Sequence, residues 1–173
     1  MLGRASTLAF VRLYIVRHAT AESRETPDLD DADRRLIEQG RTESRLAAQA
    51  MARMDARPAR VVTSPLRRAL ETARPIAAML DVPLEQDRLL RPGFDEAAFA
   101  AVIDRHGNDD LALVGHEPDL SDLVGYLTGA HVALPKGAIA RIDVTTLRPG
   151  VSELRWLLRP KQVRLIATTR VTA

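Results

Sequence analysis

The chain has no cysteine, which excludes disulfides, thiolate catalysis and cysteine-ligated zinc together. Aromatic residues are only 3% of it, so a core has to be built from Leu, Val, Ile and Ala. Lys136 and Lys161 are the two lysines among 25 basic residues, so 23 are arginines, and each must be argued from its position. The net charge of +2 is too small for a nucleic-acid or membrane field, and scarce aromatics weigh further against nucleic acid. No apolar run approaches membrane-spanning length. The apolar run near the N-terminus is too short for a signal peptide and is broken by Arg12, so a cytoplasmic location without a membrane partner is expected.

What is present describes an ordinary globular domain. Hydrophobic residues are 46% and charged residues 28% of 173, enough to bury one core. No repeat or linker interrupts the chain, so 1–173 reads as a single domain, with 1–11 as an N-terminal extension and 161–173 as a tail of ambiguous structure. Short apolar runs alternate with helical patterns, which predicts α/β layering. Strands are expected at 13–16, 60–63 and 111–114. Helices are expected at 34–54, 65–80, from the N-cap Asp95 onward, and over "DLSDLVGYL". "GAIARIDV" and "VSELRWLL" read as a closing hairpin.

The informative pattern lies at the ends of three strands. "LYIV" runs into Arg17-His18, "VVT" into Ser64-Pro65-Leu66-Arg67-Arg68, and "LALV" into Gly115-His116. In open α/β sheets ligands bind beyond the carboxyl ends of the strands. If these strands are parallel neighbours, two histidines and two or three arginines converge on one crevice. Such a cluster repels itself unless it meets an anion, and arginine's planar fork matches phosphoryl oxygens. Ser64 as N-cap and Pro65 as first helical residue would add the positive end of a helix. The stripe Leu66, Leu70, Ala73, Ala77, Leu80 leaves Arg67 and Arg68 both off the buried face, so periodicity does not choose between them. Taken singly, each residue has a plainer reading: a packed histidine, a solvated arginine, an ordinary cap. Their recurrence at strand ends carries the argument.

Taken together these segments resemble the histidine phosphatase superfamily, with its phosphoglycerate-mutase-like fold, and within it the branch of SixA-type phosphohistidine phosphatases. Its Arg-His-Gly signature is here Arg17-His18-Ala19. "DRRLIEQGRTES", "SPLRRALETA", "LVGHEPDLSDLVGYLTG" and "LPKGAIARI" match further segments in order, over roughly 12–158. The resemblance implies a three-layer α/β/α sandwich around a mostly parallel sheet. It implies His18 as nucleophile, with Arg17, Arg68 and His116 holding the phosphoryl group, Arg67 falling on a variable position. No metal or other cofactor is implied, since arginines and a histidine supply the electrostatics.

Two positions depart from the wider family. Arg24 stands where many members carry asparagine, leaving Thr20 or Ser23 as substitute phosphate donors. The acidic residue many relatives place after the third strand has only Asp95 and Glu96 as candidates. Without a dedicated acid, the site suits phosphohistidine, whose imidazole leaves readily once protonated, better than alkyl phosphates. The expected substrate is a phosphorylated histidine-phosphotransfer or phosphocarrier protein. A small phosphorylated molecule, or a non-catalytic phosphate-recognising role, is the alternative, and phosphate or another oxyanion is the expected occupant. Glu43 reads as an arginine partner or a stripe edge, His106 as a helix C-terminal charge, His131 as a loop residue and Trp156 as cover for the sheet.

Overall fold

The computed structural model describes residues 7–107 and 109–169. Among these residues six strands form one sheet: β1 (Thr7–Arg17), β2 (Arg60–Thr63), β3 (Leu84–Gln86), β4 (Leu111–Gly115), β5 (Ile139–Thr146) and β6 (Glu153–Leu158), in the order β3-β2-β4-β1-β5-β6. β1, β2, β3 and β4 pair in parallel, while β5 pairs antiparallel with both β1 and β6. Five helices cover it: α1 (Glu38–Arg53), α2 (Arg67–Leu80), α3 (Glu96–His106), α4 (Asp119–Thr128) and α5 (Pro160–Thr168).

Strand side chains alternate between faces, and the core divides accordingly. Leu13 and Ile15 of β1 share one cluster with Phe99, Val102 and Ile103 of α3 and Leu123, Val124 and Leu127 of α4. Tyr14 and Val16 share the other with Ala47 and Met51 of α1, Ala73 and Ile76 of α2, and Val163 and Ala167 of α5. This is the expected three-layer α/β/α sandwich with a mostly parallel sheet.

Several boundaries differ from expectation. β1 begins at Thr7, so part of the segment read as an extension is strand; residues 1–6 lie outside the described residues. Much of the ambiguous tail is α5, which buries Val163 and Ala167; residues 170–173 also lie outside the described residues. α1 starts at Glu38 rather than 34, because Arg34 and Leu36 are held by side-chain and backbone bonds of their own. α2 starts at Arg67 with Leu66 at its N-cap, not with Ser64 capping and Pro65 leading. The Ser64 hydroxyl does accept the Leu66 N–H at 3.3 Å, but it also faces a histidine across the sheet.

Candidate active site

The register sets the carboxyl ends of three adjacent strands side by side. Arg17 of β1 pairs with Gly115 of β4, and Thr63 of β2 pairs with Val114. The next residues, His18, His116 and Ser64, therefore emerge together, with the His18 N–H donating to the Gly115 carbonyl at 3.1 Å and the Ser64 N–H to the Val114 carbonyl at 3.0 Å. The two imidazoles lie 5.3 Å apart between centroids, tilted 57°.

His18 is 7% exposed, and its Nδ1 lies 2.8 Å from the Ala19 carbonyl. A carbonyl only accepts, so Nδ1 carries the proton and Nε2 keeps its lone pair. Burial, with the charges of His116, Arg68 and Arg17 helping and the Ala19 bond opposing, pushes the His18 pKa down to about 3. The ring is therefore neutral at ordinary pH, with the Nε2 lone pair available.

His116 is 3% exposed, with Nε2 2.8 Å from Ser64 Oγ. Burial first, then the charge of Arg68, pushes it down to about 3 against the pull of Asp31. The Leu66 N–H also donates to Ser64 Oγ, at 3.3 Å, and His116 Nδ1 has no partner among the described residues.

Arg17 is half-buried and Arg68 is fully buried at 0% exposure. Arg17 Nη1 donates to the Leu134 carbonyl at 2.6 Å. Arg68 Nη1 donates to the Asp31 carbonyl at 2.6 Å, and its Nη2 to Asp31 Oδ2 at 3.0 Å. Burial opposes the Asp31 carboxylate, but hydrogen bonds from Arg34 and Arg68 outweigh it and hold its pKa below the ordinary range. Arg17 Nε, Arg68 Nε, His116 Nδ1 and Glu117 Oε1 are buried polar atoms without a hydrogen-bond partner among the described residues. Unpaired buried polar atoms are costly and rare, so their concentration here sets this crevice apart from the rest of the core. A cavity of about 340 Å³ opens over it, lined by Arg17, His18, Glu22, Ser23, Arg24, Arg34, Glu117 and Lys136.

The loop after β1 is clamped from two helices. The Ala19 N–H donates to Thr72 Oγ1 of α2 at 3.0 Å, and the Thr20 N–H to Glu43 Oε2 of α1 at 2.9 Å. Gly40 lets α1 reach the loop: a Cβ there would lie 1.9 Å from the Thr20 carbonyl oxygen.

Residues 13–92 match the family model of the histidine phosphatase superfamily (branch 1). An uncharacterized protein of Picosynechococcus sp. is 34% identical over 137 residues, 75% of this chain and 82% of its own. The chain belongs to the histidine phosphatase superfamily. Among solved structures, the protein histidine phosphatase SixA complexed with tungstate superposes with a TM-score of 0.75 at 24% identity, over 88% of this chain and 99% of that one. The alpha-ribazole phosphatase from Shigella flexneri superposes with a TM-score of 0.70 at 17% identity, over 87% and 97%. At these identities the likeness is one of fold, the phosphoglycerate-mutase-like sandwich.

In this chain the residues read from the strand ends, Arg17, His18, Arg68 and His116, are brought together. Arg67 points elsewhere, pairing with Glu71 at 2.9 Å. Periodicity placed Arg68 off the buried face, whereas it is wholly buried, a position made tolerable by Asp31. Ser23 lines the cavity, though its Oγ accepts the Glu25 N–H. Thr20 does not line it, because its Oγ1 donates to Glu43 at 3.1 Å. Glu43 therefore braces the loop rather than pairing with an arginine of the site. Arg24 lines the mouth with its side chain 71% exposed, 3.5 Å from Asp31. Asp95 caps α3 through the Ala98 N–H, and Glu96 faces a separate depression shared with His131. His106, the last residue of α3, lies 3.8 Å from Glu85, and Trp156 packs near Tyr14 on the sheet.

Sequence reasoning passed over Asp31 and Glu117. Asp31 is one of several carboxylates in the polar loop after β1, and nothing local distinguishes it. Glu117 comes directly after His116, and that adjacency was its only signal. Among the described residues no group of three or more His, Cys, Asp or Glu side chains is placed to hold a metal ion, and no helix is long and apolar enough to cross a membrane.

The two depressed histidines make stability depend on pH. Unfolded histidine titrates near 6.5 and these near 3, so between those values the unfolded chain binds more protons. Stability is complete above about pH 6.5 and is lost as pH falls toward 3, by up to about 1 kcal/mol per pH unit for each ring. Urea midpoints measured from about pH 7 down to about pH 4 should fall steeply for the native chain and more gently for the His18→Gln, His116→Gln double variant. Parallel curves would show that neither ring is held neutral.

Proposed function

We propose that the chain is a metal-independent phosphatase that hydrolyses phosphohistidine in a partner protein through a phospho-His18 intermediate. The observation that carries this reading is the neutral His18 with Nδ1–H tied to Ala19 and Nε2 left free, its ring beside His116 and Arg17 and within the field of Arg68. Nε2 attacks phosphorus in line with the leaving group, and water then displaces His18 from the phosphoenzyme. Arg17, Arg68 and His116 hold the equatorial oxygens, whose charge dominates the barrier in phosphoryl transfer. Arginines and imidazoles thereby take the role a divalent cation plays elsewhere. Ser23 and Arg24 at the rim would contact the outer part of the substrate.

Three observations favour a protein-borne substrate. The cavity is bounded on its outer side by exposed Arg24 and Lys136, which complement an acidic surface around a phosphorylated side chain. Among the described residues no insertion domain stands over the sheet's carboxyl edge. The fold is shared with a protein histidine phosphatase bound to tungstate, a phosphate-like oxyanion. The test is to incubate the protein with a phosphorylated histidine-carrier protein and, separately, with a panel of sugar phosphates, each with and without a chelator. Phosphate should be released from the carrier protein at an unchanged rate when the chelator is present. Release from sugar phosphates alone would sink the substrate, and loss of activity with the chelator would sink the metal-free site. A second reading, a small-molecule phosphomonoesterase, is favoured by one observation, the placement of Glu117.

A further inference from the structure

We infer that Glu117 is the proton donor and acceptor of this site, and that it equips the site to expel the poor leaving groups of phosphomonoesters as well as imidazole. The inference rests on the phospho-His18 reading and deepens it. Glu117 stands next to His116 at the end of β4 and lines the cavity together with Arg17 and His18. Its Oε2 accepts the Ser121 hydroxyl at 2.6 Å, which fixes the carboxyl group from the first turn of α4. Ser121 is itself positioned, since its Oγ accepts the Leu134 N–H at 3.2 Å, and the Leu134 carbonyl accepts Arg17 Nη1. One short network thus holds the phosphate-binding arginine and the carboxyl group in a common frame. The other oxygen, Oε1, is buried and without a partner among the described residues. A buried carboxyl oxygen left unpaired beside a nucleophile is where a transferable proton would be kept.

The remaining acids near the site are otherwise engaged. Asp31 is bound by Arg34 and Arg68. Glu22 Oε2 accepts the Arg35 N–H at 2.8 Å. Asp95 is a helix cap, and Glu96 lies in another depression. Burial pushes the Glu117 carboxyl up, against the Ser121 bond and the charge of Arg17, and Asp122 on α4 adds to the rise. The other charged or titratable groups around it are His18, Glu22, Arg24, Arg34 and Lys136.

In the first step His18 Nε2 bonds to phosphorus while the bond to the leaving atom breaks. That bond's electron pair stays on the leaving atom, which takes the Glu117 proton. In the second step a water oxygen bonds to phosphorus, the P–Nε2 pair returns to His18, and the water proton passes to Glu117. Both residues end as they began.

The test compares phosphoenzyme formation from phenyl phosphate and from 4-nitrophenyl phosphate, whose leaving group departs without a proton, across a range of pH. Glu117→Gln keeps an acceptor for Ser121 and removes the transferable proton. It should slow the phenyl phosphate reaction by about 100-fold or more and the 4-nitrophenyl reaction by less than about 10-fold. It should also abolish the alkaline fall in rate of the wild type, while Glu117→Asp retains it. Equal losses on the two esters, with the alkaline fall intact, would overturn the assignment. Absence of phosphoenzyme in the wild type with either ester, or its formation in His18→Ala, would instead overturn the His18 reading beneath it.

Discussion

Replacing His18 with alanine should lower turnover by about 10⁴-fold or more while leaving the fold and the oxyanion site in place. The size follows from the proposed mechanism: without the His18 nucleophile the covalent route closes and only positioning and charge stabilisation remain. The fold should survive because the His18 side chain makes one hydrogen bond among the described residues, to the adjacent Ala19 carbonyl, and no long-range one. Arg17, Arg68 and His116 are held by Leu134, Asp31 and Ser64, none of which depends on His18. Inorganic phosphate or tungstate should therefore still bind, measured by calorimetry, with turnover measured by phosphate release. The native enzyme, quenched during turnover, should also carry an acid-labile, alkali-stable phosphoryl group that His18→Ala lacks. Turnover in the variant within about 10-fold of the native enzyme would remove His18 from the mechanism.

The second large effect is on stability, at a residue with no polar side chain. Gly40 lies on the buried side of α1, where a Cβ would come 1.9 Å from the Thr20 carbonyl oxygen and 2.8 Å from its carbon. In an exposed helix, Gly→Ala stabilises by up to about 1 kcal/mol. Here the obstacle is backbone, which cannot rotate away. The loop it would displace is tied at Ala19 to Thr72, at Thr20 to Glu43, and through the Thr20 carbonyl to the Ile37 N–H. Gly40→Ala should therefore destabilise by about 3 kcal/mol. It should also cost the surviving folded enzyme about 100-fold in kcat, because a shift of about 1 Å in the His18–Ala19 segment spoils the attack geometry. Urea unfolding and steady-state kinetics check the two parts. A variant as stable as the native chain would show that α1 and the loop separate freely.

Gly40 also shows why the motif around it reads as it does. In "DRRLIEQG", Arg34 Nε donates to the Glu22 carbonyl, and Leu36 joins the small cluster of Ala19 and Ala21. Gly40 then admits the helix to the loop. The spacing of these residues records contacts with the segment after His18, not a propensity of the helix they precede.

Much of the site was legible because strand ends are legible. A short apolar run giving way to polar residues announces where a chain leaves the sheet, and three such endings carried the histidines and Arg68. Arg68 itself was harder. Helical periodicity assumes that charges avoid the buried face, and a fully buried guanidinium breaks that assumption because its partner Asp31 is 37 residues away. Thr20 was misplaced for a related reason: its hydroxyl is satisfied by Glu43 on α1, a long-range bond that local sequence does not show. The site's acid was sought in the loop after β3, where Asp95 serves instead as a cap.

By itself the sequence determined the layer architecture and the polar ends of β1, β2 and β4, because hydrophobic periodicity and chain-breaking residues act over a few positions. The tertiary structure alone decided which arginine is buried, which His18 nitrogen is free, and which carboxyl group is left unpaired beside that ring. Those properties depend on partners brought together across the sheet, and a buried charge or lone pair takes its chemistry from whichever group faces it.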